Sequence, residues 1–387
     1  MTQTIRTLPP TARLAPRRPR ALLTELERPR DLFRNLTPNW YASIMGTGIV
    51  ANAAATLPQQ LPGLRAAATV VYLIAATMLL ALTAAVVVHW ISHPATAKSH
   101  HRNPVMAHFY GAPPMALLTV GAGTLLLGRD VVGLPVAIGI DAVLWSLGTL
   151  LGLVSAVAIP YLTFTTHRVA PDAAFGGWLM PIVPPMVSAS TGALLLPFLP
   201  AGQARETMLY GCYAMFGLSL IASLVVIALI WSRLTQHKIG AAPMVPTLWI
   251  VLGPLGQSIT AANLLGGNAH FAVDASTAHA LQLFGVIYGV PVLGFAAMWA
   301  AVTAAITLRT ARRGLPFSLT WWSFTFPVGT CVTGISGLAA HTGLVAFQVL
   351  AVLAFVALLA AWVTVAIRTV HGSLIRGSLF LPPAART

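Results

Sequence analysis

Charge is what this chain has least of. Only 8% of its 387 residues are Asp, Glu, Lys or Arg, where a soluble protein carries about a quarter. Cysteine is almost absent. The two present, Cys212 and Cys331, lie in apolar segments, which excludes a disulfide or cysteine–metal framework. There is no GxxxxGK[ST], so no P-loop hydrolyses a nucleotide. Residues 1–37 hold eight Arg and no apolar run, which rules out a secretory signal there. Short alternating segments of the β-barrel kind are also missing.

What is abundant is apolar surface. Hydrophobic residues make up 57% of the chain and the mean hydropathy is +0.80. Runs of about 20 apolar residues, each enough to cross a bilayer core, recur along it. The pattern predicts an all-α polytopic membrane protein with ten transmembrane helices, near 38–57, 66–91, 105–127, 131–159, 175–199, 204–231, 243–265, 277–308, 317–340 and 342–368. The expected organisation is a disordered basic cytoplasmic tail over 1–37, a transmembrane domain over 38–370, and a cytoplasmic C-terminal tail over 371–387.

Sidedness follows from the basic residues. With these spans, nineteen of the 22 Lys and Arg fall on the side of both termini, and only Arg65, Arg129 and Arg205 on the other. The positive-inside rule then puts both termini in the cytoplasm and requires an even number of spans. The net charge of +14 is accounted for by topology and anionic headgroups, and no nucleic-acid partner is implied.

Helix breakers fall mainly in the odd spans: Gly46 and Gly48, Pro113 and Pro114, Pro181 with Pro184 and Pro185, Gly253 with Pro254 and Gly256, and Pro327 with Gly329. The markers Gly46, Pro114, Pro184, Pro254 and Pro327 are 68, 70, 70 and 73 residues apart. That reads as five helical hairpins, each an odd broken helix followed by a smoother even one. Irregular backbone at membrane depth survives where it is buried in protein or lines a watery cavity, so the odd helices are expected to surround a central pore. Its lining is expected from Gly46, Thr47, Gly48, Pro114, Pro184, Ser188, Pro254, Gln257, Ser258, Thr325, Pro327 and Thr330, within a wider set of polar groups on these spans that includes Ser43, Asn52, Ser190, Thr191, Thr260, Asn263 and Thr333. No Lys or Arg sits mid-span, so such a pore offers an anion neutral donors.

Asp141 is the one acidic residue that falls more than three residues inside a span. It is a candidate for proton coupling, with a structural hydrogen bond or an interfacial position as the alternatives. His89, His108 and His279 fall at span ends and are expected at the interface. The loop "SHPATAKSHHR" has three His but no acidic or Cys partner, so no metal site or cofactor is expected. "GISG" at 334–337 matches an intramembrane serine-protease pattern but lacks a deep His partner, and an enzyme is not expected.

The motifs "WYASIMGTGIVAN", "HFYGAPPMALLTVG", "MPIVPPMVSASTG", "LGPLGQS" and "WWSFTFPVGT" resemble the tellurite-resistance/dicarboxylate transporter family. That family contains tellurite-resistance channels, plant slow anion channels, malate permeases and sulfite efflux pumps. The resemblance implies ten helices around a pore, a homotrimer, and a phenylalanine plug on the ninth helix. Phe326 is the counterpart of that plug, and Phe324, on nearly the opposite face, is left to packing. "LGPLGQS", "WWSFTFPVGT" and the Asp in span 4 are most similar to the sulfite exporters. The expectation is a cell-membrane transporter or channel for a small anion, sulfite or bisulfite first. A C4-dicarboxylate carrier or a tellurite-resistance-type channel is the alternative, and a membrane enzyme or sensor the distant one.

Overall fold

The computed structural model describes residues 22–26 and 29–381. Among them all regular structure is helical and no strand occurs. The α-helices are α1 (Tyr41–Thr56), α2 (Leu64–Ser92), α3 (Pro94–Arg102), α4 (Ala112–Gly123), α5 (Arg129–Val132), α6 (Leu134–Thr165), α7 (Pro184–Leu195), α8 (Gln203–His237), α9 (Leu252–Asn268), α10 (Ala275–Ala311), α11 (Phe326–Thr342) and α12 (Val345–Val370).

Eight helical segments among the described residues are long and apolar enough to cross a membrane. The other two expected spans are shorter. The first is α1, whose 16 residues rise about 24 Å, less than the ~30 Å hydrocarbon core. The fifth is α7, 12 residues flanked by the 3-10 turns Gly176–Leu179 and Leu196–Phe198.

Two classes of helix separate by burial. Over their most apolar stretches, α2, α6, α8, α10 and α12 are 17% to 28% buried, whereas the segments carrying α4, α9 and α11 are 67% to 89% buried. The second class, with α1 and α7, forms a closed ring: α1 packs on α4, α4 on α7, α7 on α9, α9 on α11, and α11 on α1. Each ring helix is covered by the helix that follows it, α2 on α1, α6 on α4, α8 on α7, α10 on α9 and α12 on α11. Small residues permit the close crossings, as expected where lipid supplies no hydrophobic drive between helices. At α9–α11, Gly256 lies against the backbone of Thr330 and Cys331, and Gly334 against the carbonyl of Gly256.

The expected breaks take a different form. Each ring helix is preceded by a 3-10 segment: Pro38–Trp40, Met106–Gly111, Gly176–Leu179, Ala242–Val251 and Leu319–Phe324. Pro114, Pro184, Pro254 and Pro327 occupy the first turn of α4, α7, α9 and α11. An N–H there would have no intrahelical acceptor, so proline costs no bond. These prolines start helices and do not interrupt them. Gly46 and Gly48 break nothing: α1 is continuous, and they admit Trp322 with Thr325, and Thr119, to its surface.

The N-terminal tail, expected to be disordered, has ordered structure where it is described; residues 1–21, 27–28 and 382–387 lie outside the described residues. Leu26 and Leu36 are buried, the amides of Leu23, Thr24 and Glu25 bond the carbonyls of Leu374, Ile375 and Arg376, and Trp40 stacks on Phe380 at 5.0 Å. The two ends are tied together by apolar burial and backbone bonds, which a basic composition alone does not foretell.

The ring geometry makes a stability prediction. Gly256→Val forces a side chain into the Thr330–Cys331 backbone and should destabilise by about 1–3 kcal/mol, seen as a lower melting temperature of the purified protein. Gly139→Ala, on a face of α6 with open space, should leave it unchanged. Equal melting temperatures for both variants would contradict the crossing.

Candidate functional site

Inside the ring are two cavities. The larger, about 280 Å³, is lined by Ile49, Asn52 and Thr56 of α1; Thr119 and Ala122 of α4 with Leu126 just beyond it; Val187, Ser190, Thr191 and Leu194 of α7; Gln257, Thr260, Asn263 and Leu264 of α9; and Phe326, Thr333, Ser336, Gly337 and Ala340 of α11. The repeated steps of three and four place one face of each ring helix on the cavity. The smaller, about 30 Å³, is lined by early residues of the ring helices and their lead-ins, among them Ala42, Met45, Met115, Val183, Gly253, Pro254 and Pro327. The ring helices therefore run parallel, with their N-terminal ends around the small cavity.

Phe326 is the one residue that lines both cavities. It is 3% exposed and borders the large cavity on one side and the small one on the other. Phe324 turns away and meets Trp249 and Trp321 edge-on, each at 5.6 Å between ring centres.

No Asp, Glu, Lys or Arg lines either cavity. The hydroxyls are largely satisfied within their own helices: Thr119 donates to Met115 O at 2.7 Å, Thr191 to Val187 O at 2.9 Å, and Thr56 to Asn52 O at 3.0 Å. Cross-helix pairs tie the wall together. Thr260 and Thr333 share a hydrogen bond at 2.7 Å, Gln257 Nε2 donates to Ser190 Oγ, and Asn52 Nδ2 donates to Thr119 O at 3.0 Å. Asn52 Oδ1 and Ser336 Oγ have no protein partner. At the far end, Asn263 Oδ1 accepts from His341 Nδ1 at 2.7 Å. His341 is thus engaged by Asn263 and not by Ser336, so the "GISG" serine has no hydrogen-bonded base.

Of the lining residues read from the sequence, the structure brings Phe326, Gln257, Pro254 and Pro327 to the cavities. The others lie at helix contacts. Gly46 and Gly48 meet neighbouring helices, and Thr47 Oγ1 accepts from Trp362 Nε1 at 3.1 Å. Pro114 and Pro184 pack on Gly152 of α6, and Ser188 bonds Pro184 O. Ser258 accepts from Tyr288 of α10, while Thr325 and Thr330 bond Trp322 O and Pro327 O. The cavity face of α1 is 49, 52 and 56, one side step from the 46–48 motif. The i, i+3, i+7 spacing of Ile49, Asn52 and Thr56 puts them on one helix face.

Asp141 lines neither cavity and does not reach solvent. It is 0% exposed on α6, facing Gly121 of α4, and neither carboxylate oxygen has a hydrogen-bond partner in the protein. His89 and His108 are likewise buried, His89 Nδ1 on Phe33 O at 2.8 Å and His108 beside Phe175 and Trp178; His279 is exposed. The histidine loop folds as α3, where burial pushes His100 down to about 4.

Accessibility separates the cavity face from the contact face. Thr333→Cys should react with a small water-soluble thiol reagent in native membranes, and Ser258→Cys should not. Equal labelling, read by mass shift, would contradict this assignment of faces.

With the geometry in place, comparison with known proteins is direct. A sulfite efflux pump of Arthroderma otae is 26% identical over 359 residues, covering 90% of this chain and 94% of the relative. An uncharacterized transporter of Methanocaldococcus jannaschii is 27% identical over 312 residues, 80% of this chain and 86% of the relative. A malic acid transport protein of Schizosaccharomyces pombe is 20% identical over 303 residues, 76% and 68%. The profile of the voltage-dependent anion channel family matches residues 35–370, and the chain belongs to that family.

Proposed function

We propose that this protein conducts a small anion, sulfite or bisulfite first, across the cell membrane through the axis of the helical ring. Ten spans, paired as five hairpins, surround the path, both termini are cytoplasmic, and three copies assemble with one path each. The observation that carries the reading is Phe326, the one described residue that lines both uncharged cavities.

Selectivity follows from what lines the path. No carboxylate is present to attract a cation. The five parallel ring helices direct the positive ends of their dipoles toward the small cavity. Neutral donors replace part of an anion's hydration shell and release it again, because no fixed cation traps it. The phenyl ring blocks the neck by sterics and dewetting. The excess of basic residues on the side of the termini raises local anion concentration there.

The malic acid transport relative supports a second reading, C4-dicarboxylate transport. A dicarboxylate favours an Arg clamp, and neither cavity has one, which puts sulfite ahead.

Proteoliposomes test the proposal. Sulfite should flow down its gradient, and Phe326→Ala should raise that flux several-fold. Unchanged flux from a folded Phe326→Ala protein would remove the gate. Absence of flux for sulfite, malate, nitrate and chloride alike would favour a sensor or enzyme. In a second assay, Asp141→Asn should abolish any dependence of flux on an imposed pH gradient; retained dependence would exclude this carboxylate from coupling.

A further inference from the structure

Outside the ring, a surface groove of about 680 Å³ opens between the C-terminal ends of α8 and α10. Its floor is apolar. Trp231 and Trp299 approach to 6.2 Å between ring centres, and Val302 and Ile306 extend the wall along α10. Trp299 is fixed from below by donating Nε1–H to Leu248 O at 3.0 Å.

Its rim is cationic. Lys238 comes from the end of α8, and Arg309 and Arg313, four residues apart, from the end of α10. Some cations elsewhere are tied down: Arg65 and Arg376 bond Asp130 and Glu25, and Arg205 bonds backbone carbonyls. Arg309 and Arg313 have no hydrogen bond or ion pair among the described residues. Lys238 donates Nζ–H to Thr235 O at 3.0 Å and is held at φ +66°, ψ −160°, a backbone region otherwise kept for glycine. The adjoining turn is braced by Arg233, which donates to Ile239 O at 3.2 Å. Three cations are thus held at one end of an apolar trough, on the flank of two weakly buried helices.

We propose that this groove is a binding site for an anionic phospholipid. The phosphate lies among Lys238, Arg309 and Arg313, and an acyl chain runs over Trp231, Trp299 and Ile306. Charge and shape select this occupant. A free anion would use the rim and leave the apolar floor bare. A second copy docked by a twofold axis would bring cations of the same sign. A lipid with a negative headgroup satisfies both parts at the depth where headgroup and chain meet.

The test is lipid retention by the purified full-length protein, measured by native mass spectrometry. Phosphatidylglycerol should be held about tenfold or more tightly than phosphatidylcholine. Lys238→Gln/Arg309→Gln/Arg313→Gln should abolish the difference. The equally neutralised Lys98→Gln/Arg102→Gln/Arg168→Gln should keep it. Val302→Trp/Ile306→Trp, which fills the trough with its cations intact, should also release the lipid. Equal loss in the two glutamine variants would show bulk charge and overturn the site. So would displacement of phosphatidylglycerol by inorganic phosphate at matched concentration. A tryptophan variant that loses subunits and keeps lipid would make the groove a contact between copies and overturn it as well. None of these readouts depends on anion flux, so the site and the transport reading stand or fall separately.

Discussion

A helix that starts inside a membrane protein has a hydrogen-bonding problem. Its first N–H groups lack intrahelical acceptors, and lipid supplies none. This chain meets the problem the same way five times. A 3-10 segment leads into each ring helix, and in four of the five a proline in the first turn removes a donor that would otherwise need a partner. The ring, the parallel direction of its helices and the neck between the two cavities all follow from that repeated start.

Much of this was legible in the sequence. Hydropathy marked the helices, and the spacing of Pro114, Pro184, Pro254 and Pro327 marked equivalent positions, read as breaks where the structure has helix starts. What periodicity could not give was rotation. The ring helices are buried on nearly every side, so apolar and polar faces do not contrast. Gly46, Thr47 and Gly48 stand out as a motif because α11, α12 and α4 pack closely there, while the quieter Ile49, Asn52 and Thr56 face the cavity. Hydroxyls mislead for a related reason: Thr325 and Thr330 bond carbonyls of nearby turns and need no lumen. Asp141 was visible as an intramembrane carboxylate, but its enclosure against Gly121 depends on how α6 crosses α4, which no local pattern encodes.

The inner and outer surfaces divide the work. The ring supplies an uncharged interior bordered by Phe326, and the covering helices supply an apolar exterior, with Arg309 and Arg313 at the end of α10 lacking a bond among the described residues. With only eight acidic residues against 22 basic, the chain has few internal partners for those cations. On the proposed reading, lipid headgroups balance part of that charge, while the transported ion meets only neutral groups.

The central claim is that the conduction path runs through the cavity beyond Phe326. The most direct measurement is anion flux through Phe326→Ala/Thr333→Cys before and after covalent modification of the thiol. Flux should fall to the background level on modification, because Thr333 lines the cavity. Undiminished flux through fully modified protein would contradict the account.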